Sequence, residues 1–273
     1  MTQTHVEADL NYLQPNGARP VNYAYPAPPG VPQNSGGVDT RRVSIANARA
    51  LFDPPQLDTH GFTLASHTSA FTDFSDEAQL RKHYYPESAA LIKQLTGAEH
   101  VVIFDHTLRF DQRGHSEPGI REPVRRVHND QTFVSGPRRV RDHLPINEAE
   151  QRLRGRFAII NLWRPIGEPV RTAPLALCDA RSIHSDDLVA TDLVYRDKVG
   201  ETYSFVYQPR HRWYFYPTIT PSEVVLIKIY DSSTDGRARL TAHTAFDDAA
   251  APENAPPRRS IELRTLVFWP AHA

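Results

Sequence analysis

Cysteine, long apolar runs and glycine-rich motifs are scarce in this chain of 273 residues, and each shortage excludes a class of protein. Cys178 is the only cysteine, which excludes an intrachain disulfide and a zinc site built from thiolates. No apolar run reaches the roughly 18 residues of a transmembrane helix. The 13 glycines contain no G-x-G-x-x-G pattern, so we expect no dinucleotide-binding fold.

An excess of charge of either sign is also lacking. The chain carries 31 basic and 32 acidic residues, a net charge of −1. We therefore expect neither a nucleic acid nor a membrane as a partner. Residues 1–10 contain His5, Glu7 and Asp9 and no apolar segment, so we expect no signal peptide and a cytoplasmic protein.

Proline, glycine and tyrosine are concentrated in residues 11–37. This composition disfavours helix and central strand, whereas the tyrosines are unusual for a disordered segment. We therefore predict an N-terminal arm over residues 1–37 and a single domain over residues 38–273. Tyr12, Tyr23 and Tyr25 are the residues with which such an arm would close over a pocket.

The rest of the chain has a few helical patterns followed by many short strands. Residues 75–96 are predicted to be helical, capped by Ser75 and interrupted at Pro86, and a further helix over 148–154 is predicted to be capped by Asn147. The predicted strands cover 101–104, 157–163, 188–195, 203–207, 212–216, 224–230 and 260–269. The fold class is therefore mainly β with flanking helices (α+β), and we favour a double-stranded β-helix (jelly-roll) core.

Histidine and a carboxylate stand two positions apart at several places in the chain. His115-Ser-Glu117, His128-Asn-Asp130 and His184-Ser-Asp186 have this spacing. Chance alone produces such triplets, and most are surface pairs. His115 and His184 lie in polar segments typical of loops, whereas His128 follows Val124 and Val127, so a strand is plausible there.

On an extended strand, residues two apart share one face, so His128 and Asp130 would point together. Between His128 and His243 there are at least four predicted strands, enough to bring the chain back beside His128. Two imidazoles and one carboxylate hold Fe(II) on one face and leave positions open for other ligands. The alternative for His243 is a half-buried histidine bonded to a neighbour.

Arginines follow His243 on the last predicted strand. Arg258, Ser260, Glu262 and Arg264 share one strand parity, opposite to Ile261. Buried arginines need anions, which a 2-oxo acid, a substrate or Glu262 could supply. The alternative for Arg258 is a salt bridge at the rim.

Beyond these residues, nearly the whole chain resembles the hydroxylase/desaturase family that includes AsaB and CmcJ and is also named for gibberellin desaturases. The resemblance is carried by ordered segments: Leu10-Asn-Tyr-Leu13, Asp58-Thr-His-Gly-Phe62, Tyr84-Tyr-Pro-Glu87, Thr96-Gly-Ala98, Phe104-Asp-His-Thr-Leu-Arg109, Val127-His-Asn-Asp130, Asn161-Leu-Trp-Arg-Pro165, Pro174-Leu-Ala-Leu-Cys-Asp179, Trp213-Tyr-Phe-Tyr-Pro217, Lys228-Ile-Tyr-Asp-Ser232, His243-Thr-Ala-Phe246 and Pro257-Arg-Arg-Ser-Ile-Glu-Leu-Arg264.

The resemblance implies an Fe(II)/2-oxoglutarate-dependent oxygenase that uses O₂ and releases succinate and CO₂. Such enzymes hydroxylate, desaturate or cyclise small secondary metabolites or amino-acid-derived substrates, and the arginines suggest a substrate that bears a carboxylate. The implied iron ligands are His128, Asp130 and His243. Arg258 with Ser260 resembles the R-x-S clamp for 2-oxoglutarate, although Arg264 is an alternative. The candidate pocket residues are Arg264, Arg164, Asn161, His106, Arg109 and Tyr214.

Two other functions remain open at this point. A non-catalytic partner subunit of a tailoring (methoxylation) system would have no need of an intact metal-ligand set. A cupin-like binding protein or isomerase would share the fold but would not need Arg258.

Overall fold

The computed structural model describes residues 4–111 and 121–270. In chain order the strands are β1 His5–Gln14, β2 Val21–Tyr23, β3 Gly37–Asn47, β4 Phe62–Ser66, β5 His100–Phe110, β6 His128–Asn129, β7 Phe157–Pro165, β8 Leu175–Cys178, β9 Leu188–Val194, β10 Val199–Phe205, β11 Trp213–Phe215, β12 Glu223–Asp231, β13 His243–Ala245 and β14 Arg259–Phe268. The α-helices are α1 Leu57–His60, α2 Glu77–Gln79, α3 Tyr85–Thr96, α4 Ser135–His143 and α5 Ile146–Arg152. The triplet at His115 lies outside the described residues.

Within these two ranges the strands form a larger and a smaller sheet. The larger sheet has nine strands in the order β1-β3-β11-β8-β13-β6-β10-β9-β2, and the smaller has five in the order β4-β12-β7-β14-β5. One core cluster takes side chains from both sheets, among them Leu177 on β8, Ile227 on β12 and Leu266 on β14. The sheets therefore face each other, and the prediction of a mainly β chain with a jelly-roll core is confirmed.

The central strand of the smaller sheet is buried on both faces. Every residue of β7 is buried. Ile159 and Trp163 join the core between the sheets, whereas Ile160 and Leu162 join a second core with Leu91 of α3. Successive side chains of a strand alternate between faces, so residue parity decides which side chains can reach the space between the sheets.

The helical segment before β5 is almost continuous. A π-helical turn, Leu80–Tyr84, connects α2 to α3, so Pro86 stands in the first turn of α3, where proline is tolerated. Asp76 rather than Ser75 caps the start, and its Oδ1 accepts from the Gln79 amide at 3.1 Å. Gly97, with φ of 68°, ends α3 as predicted.

The helices between β6 and β7 differ from the predictions. The helix α5 begins at Ile146 after Pro145, without a side-chain cap, so the predicted cap at Asn147 is wrong. The helix α4 was not predicted, because Gly136 near its start disfavours helix. A Cβ at Gly136 would come within 2.5 Å of the Tyr230 ring, so close packing requires glycine at this position.

The N-terminal residues belong to the larger sheet. All ten residues of β1 pair with β3, so strand pairing crosses the predicted boundary between residues 37 and 38. Tyr12 is 1% exposed, and its hydroxyl accepts from Trp213 Nε1 at 2.7 Å. Tyr12 is therefore fixed in the core, and the expectation that it closes over a pocket is wrong. No helix in the described ranges is both long and apolar enough to cross a membrane.

Candidate metal centre

Two histidines face each other on adjacent strands in the middle of the larger sheet. His243 on β13 is the antiparallel partner of His128 on β6, and the centroids of their rings are 4.3 Å apart. Neighbouring strands lie about 4.8 Å apart, so a register of this kind brings two imidazoles together without distorting the sheet. The return of the chain through β7 to β12 produces this pairing, as the strand count predicted.

Asp130 completes a group of three candidate ligands. It follows directly after the end of β6, and its Oδ1 lies 3.5 Å from His128 Nε2. One possible ligand atom from each of His128, Asp130 and His243 lies within 4.8 Å of the others. In the described part of the chain these residues form the only such group of histidine, cysteine and acidic side chains.

The protonation of the group suits a divalent cation. The Nδ1 atom of His128 lies 2.8 Å from the carbonyl oxygen of Arg126, which can only accept, so Nδ1 carries a hydrogen and Nε2 is the nitrogen that faces Asp130. Burial lowers the pKa of His243 to about 3. Burial alone would raise the pKa of Asp130, but its neighbours, Arg264 above all, outweigh burial and hold that pKa well below its usual range.

An unsatisfied nitrogen supports the same assignment. Among the described residues, buried His243 Nδ1 has no hydrogen-bond partner, and an unpaired buried polar atom is costly. Two neutral imidazoles and one carboxylate are the ligand set of the facial triad that binds Fe(II). The donor set therefore fits iron.

The smaller sheet holds the other oxygen of Asp130. Asn161 Nδ2 on β7 donates to Asp130 Oδ2 at 2.8 Å, and Arg264 Nε on β14 donates to the same atom at 3.1 Å. Asn161 and Arg264 are also register partners across β7 and β14. The two candidate pocket residues thus contact a candidate metal ligand directly.

Arg258, which lies directly before β14, is buried and incompletely paired. It is 4% exposed, its Nη1 donates to the Ala173 carbonyl oxygen, and its guanidinium carbon lies 5.5 Å from the centroid of the Trp163 ring. Within the described ranges, Arg258 Nε and Ser260 Oγ are buried and have no hydrogen-bond partner. Burial, together with the charge of Arg109, lowers the pKa of Arg258 to about 9.

Arg109 is the cross-strand partner of Ser260. Its Nη1 donates to the carbonyl oxygen of Glu122 at 2.9 Å. Burial lowers the pKa of Arg109, and Glu262 opposes this effect only in part. Arg109 and Arg258 therefore form a close pair of cations whose charge calls for an anion.

Two other candidate pocket residues lie on the face of the smaller sheet that is directed away from the candidate ligands. Arg164 is three positions from Asn161 and so points away from the metal group, where its Nε donates to the Tyr84 hydroxyl at 2.9 Å. His106 also faces α3, with its Nδ1 at 2.8 Å from the Tyr85 hydroxyl. Strand parity explains both misassignments, and neither residue lines the metal site.

Tyr214 and His184 are not placed against the metal group. Tyr214 on β11 pairs with Leu177, which in turn pairs with His243, so Tyr214 lies two strands from His243. Its ring packs 6.0 Å from that of Phe62. His184 precedes a 3-10 turn, and its amide donates to Asp187 Oδ2 at 2.8 Å.

Sequence reasoning missed Asp105 and Thr107 on β5. Arg264 Nη1 donates to Asp105 Oδ2 at 3.0 Å and to Thr107 Oγ1 at 2.8 Å. Asp105 and Thr107 lie an even number of positions from Arg109, so they share its face of the strand. This spacing could have identified them from the sequence. The register of β5 against β14 was not available from the sequence.

A cavity of about 570 Å³ adjoins Arg258. Its lining includes Thr172, Ala173 and Asp111, and Thr172 Oγ1 accepts from the Arg258 amide at 3.0 Å. A smaller cavity of about 230 Å³ is lined by Arg181, Leu240 and others, and its lining includes none of the three candidate ligands. The lining of the larger cavity also includes none of these ligands, and it reaches Arg258 through Thr172 and Ala173, which accept hydrogen bonds from that arginine.

Known proteins resemble this chain over almost its whole length. A family model described as oxidoreductase/YMDC permease-like domain matches residues 10–268. The chain is 34% identical over 254 residues to the hydroxylase/desaturase CTB9 of Cercospora beticola, covering 85% of this chain and 77% of that protein. It is 32% identical over 277 residues to the Fe(II)/2-oxoglutarate-dependent dioxygenase NvfI of Aspergillus novofumigatus, covering 98% of each.

A solved structure also resembles this chain over almost its whole length. The iron and alpha-ketoglutarate-dependent endoperoxidase NvfI matches with a TM-score of 0.88 and 32% identity, covering 98% of this chain and 99% of that one. The fold, the ligand group and the relatives agree. This chain belongs to the hydroxylase/desaturase family of Fe(II)/2-oxoglutarate-dependent oxygenases.

Proposed function

We propose that this chain binds Fe(II) through His128, Asp130 and His243 and, with 2-oxoglutarate and O₂, hydroxylates, desaturates or cyclises a small secondary metabolite or amino-acid-derived substrate. Succinate and CO₂ are the coproducts. The observation that carries the proposal is the pairing of His128 with His243 on adjacent strands, with Asp130 beside them.

The bound iron supplies the oxygen chemistry, and the protein supplies binding and orientation. The hydrogen bond from His128 Nδ1 to the Arg126 carbonyl oxygen leaves Nε2 facing Asp130, and burial keeps His243 neutral. Arg264 keeps Asp130 ionised. His243 and Asp130 are thus ready to bind a cation without first losing protons.

We assign the far carboxylate of 2-oxoglutarate to Arg258 and Ser260. The buried Arg258 Nε and Ser260 Oγ, unpartnered among described residues, support this assignment. A guanidinium binds a carboxylate through parallel hydrogen bonds.

We also propose that the substrate bears a carboxylate near Arg109. The buried charge of Arg109 is only partly balanced by Glu262. The location we propose is the cytoplasm, since that compartment supplies reduced iron and 2-oxo acids.

The test is an anaerobic titration of the purified protein with 2-oxoglutarate in the presence of Fe(II). We expect a visible charge-transfer band, and succinate once O₂ is admitted. His243→Ala should abolish both. Arg258→Ala should raise the half-saturating 2-oxoglutarate concentration about 10- to 100-fold, because hydrogen bonds to a charged group contribute about 1.5–3 kcal/mol and each 1.4 kcal/mol is about tenfold.

Arg259→Ala is the matched control. Arg259 is exposed, and its guanidinium lies 4.6 Å from the Phe110 ring centroid. Equal half-saturation in the two arginine variants would contradict the clamp. A wild-type protein that gives neither band nor succinate would favour a non-catalytic partner or a cupin-like binding protein.

A further inference from the structure

One carboxylate oxygen of Asp130, Oδ2, is held by hydrogen bonds from other side chains of the protein. Asp130 Oδ2 accepts from Asn161 Nδ2 at 2.8 Å and from Arg264 Nε at 3.1 Å. The first oxygen, Oδ1, is the one that lies 3.5 Å from His128 Nε2. The carboxylate is therefore oriented by its neighbours with one oxygen directed to the ligand group.

Arg264 has a partner at every nitrogen of its guanidinium. Its Nε bonds Asp130, its Nη1 bonds Asp105 and Thr107, and its Nη2 lies 2.8 Å from Glu262 Oε1. The Glu262 side chain is only 7% exposed. A guanidinium with this many partners would have to break internal bonds before it could bind a carboxylate in parallel.

Arg258 differs from Arg264 in this respect. Its Nε has no hydrogen-bond partner among the described residues, and its Nη1 donates to a neutral acceptor, the Ala173 carbonyl oxygen. The arginine directly before β14 is therefore available to a ligand, whereas the arginine within β14 is not.

We propose that Arg264, braced by Glu262, is a positioning residue that holds Asp130 with a single oxygen free for the metal, and that Arg264 contacts neither 2-oxoglutarate nor substrate. This inference rests on the proposed function, since it takes Asp130 as a metal ligand. Asn161 acts on the same oxygen from β7.

The experiment measures the binding of Co(II) alone, without 2-oxoglutarate, by anaerobic absorption titration. Arg264→Lys and Asn161→Ala should each raise the dissociation constant about 10- to 100-fold, the usual effect of removing a group that orients a metal ligand. The Co(II) spectrum should change as the carboxylate loses its orientation. In Arg264→Lys with metal at saturation, the half-saturating 2-oxoglutarate concentration should stay within about threefold of wild type.

Asp105→Asn is the matched control, because it removes an ion pair with the same guanidinium at a carboxylate that is 52% exposed. We expect less than about a fivefold change in Co(II) affinity, since exposed pairs contribute little. Should Arg264→Lys fail to melt cooperatively, Asn161→Ala decides the question, because it removes a donor to Asp130 without removing a charge.

Two results overturn the inference. One is a Co(II) affinity in the folded variants equal to that of Asp105→Asn. The other is an Arg264→Lys variant that loses affinity for 2-oxoglutarate and keeps its affinity for Co(II). A wild-type protein that binds no Co(II) contradicts the metal site itself, which distinguishes failure of the proposed function from failure of this inference alone.

Discussion

Arginines near the metal group carry the same charge and have different partners. Arg258 is buried against Trp163 with an unpaired nitrogen, and Arg264 is bonded at every nitrogen. Arg164 lies on the other face of β7, with its Nη1 donating to the His67 and Pro221 carbonyl oxygens at 2.8 and 2.7 Å. The partner, rather than the residue type, decides the role of each arginine.

At the scale of the residue, Arg164→Lys should lower the free energy of unfolding by about 2–3 kcal/mol without weakening 2-oxoglutarate binding, because it removes bonds between a buried cation and fixed acceptors. Urea denaturation and the anaerobic titration measure the two quantities. Arg196 is exposed, so Arg196→Lys should change stability by no more than about 0.5 kcal/mol. An Arg164→Lys protein of normal stability that binds 2-oxoglutarate poorly would contradict this placement.

Spacing and parity predicted part of the site. The two-residue interval and the strand count brought His128, Asp130 and His243 into one hypothesis, and parity placed Arg258, Ser260, Glu262 and Arg264 together. Parity also separates Asn161 from Arg164, although the sequence prediction grouped them. Contacts with Asp105 and Thr107 depend on which strands are neighbours, which one sequence does not state.

Strand β1 shows that an element near the chain terminus can be structural. Val6, Ala8, Leu10 and Tyr12 alternate with exposed residues and enter a core cluster with Trp213 and Phe205. The composition of residues 11–37 led to the prediction of an arm. The alternation over residues 5–14 was the better signal, because it has the period of a strand with one buried face.

At the scale of the element, Leu10→Ala should lower the free energy of unfolding by about 2–5 kcal/mol, the usual effect of truncating a buried leucine. Leu10 is 1% exposed, whereas Glu7 in the same strand is exposed, so Glu7→Ala is the control and should have little effect. Denaturant unfolding of the metal-free protein measures both. Equal stability of the two variants would show that β1 is not part of the core.

Across the whole molecule, several buried or half-buried histidines resist protonation. Burial lowers the pKa of His60, His67 and His211 from 6.5, and the charges of Asp179, Glu87 and Asp187, which oppose it at the three sites respectively, do not cancel the effect. The unfolded chain therefore binds more protons than the folded chain below about pH 6.5. Stability must fall as the pH falls through this range.

At this scale, the melting temperature of the metal-free protein should be lower at pH 5 than at pH 7.5. Hydrogen bonds from Arg181 to Asp179, and from the His184 amide, His211 and Arg210 to Asp187, outweigh burial and hold the pKa values of both carboxyl groups below 3.8. Protonation of these two groups lowers stability further at still lower pH. His211→Gln should reduce the slope between pH 5 and 7.5. Differential scanning fluorimetry across this range is the measurement, and a melting temperature that rises on acidification would refute the prediction.

The fold class followed from the sequence because many short strands with turn residues between them exclude most other architectures. The order of strands within each sheet did not, since it depends on pairings such as β11 with β3 that join residues far apart in the chain. The helix α4 was also missed, because packing of Gly136 against Tyr230 overrides its local preference.

The ligand group joins the two halves of the sandwich unequally. Both imidazoles belong to the larger sheet, whereas the Asp130 carboxylate accepts hydrogen bonds from Asn161 and Arg264 of the smaller sheet. The orientation of the carboxylate therefore depends on both sheets, whereas the spacing of the two imidazoles depends on the larger sheet alone. The distance between the two sheets thus helps to set the geometry of the candidate metal site.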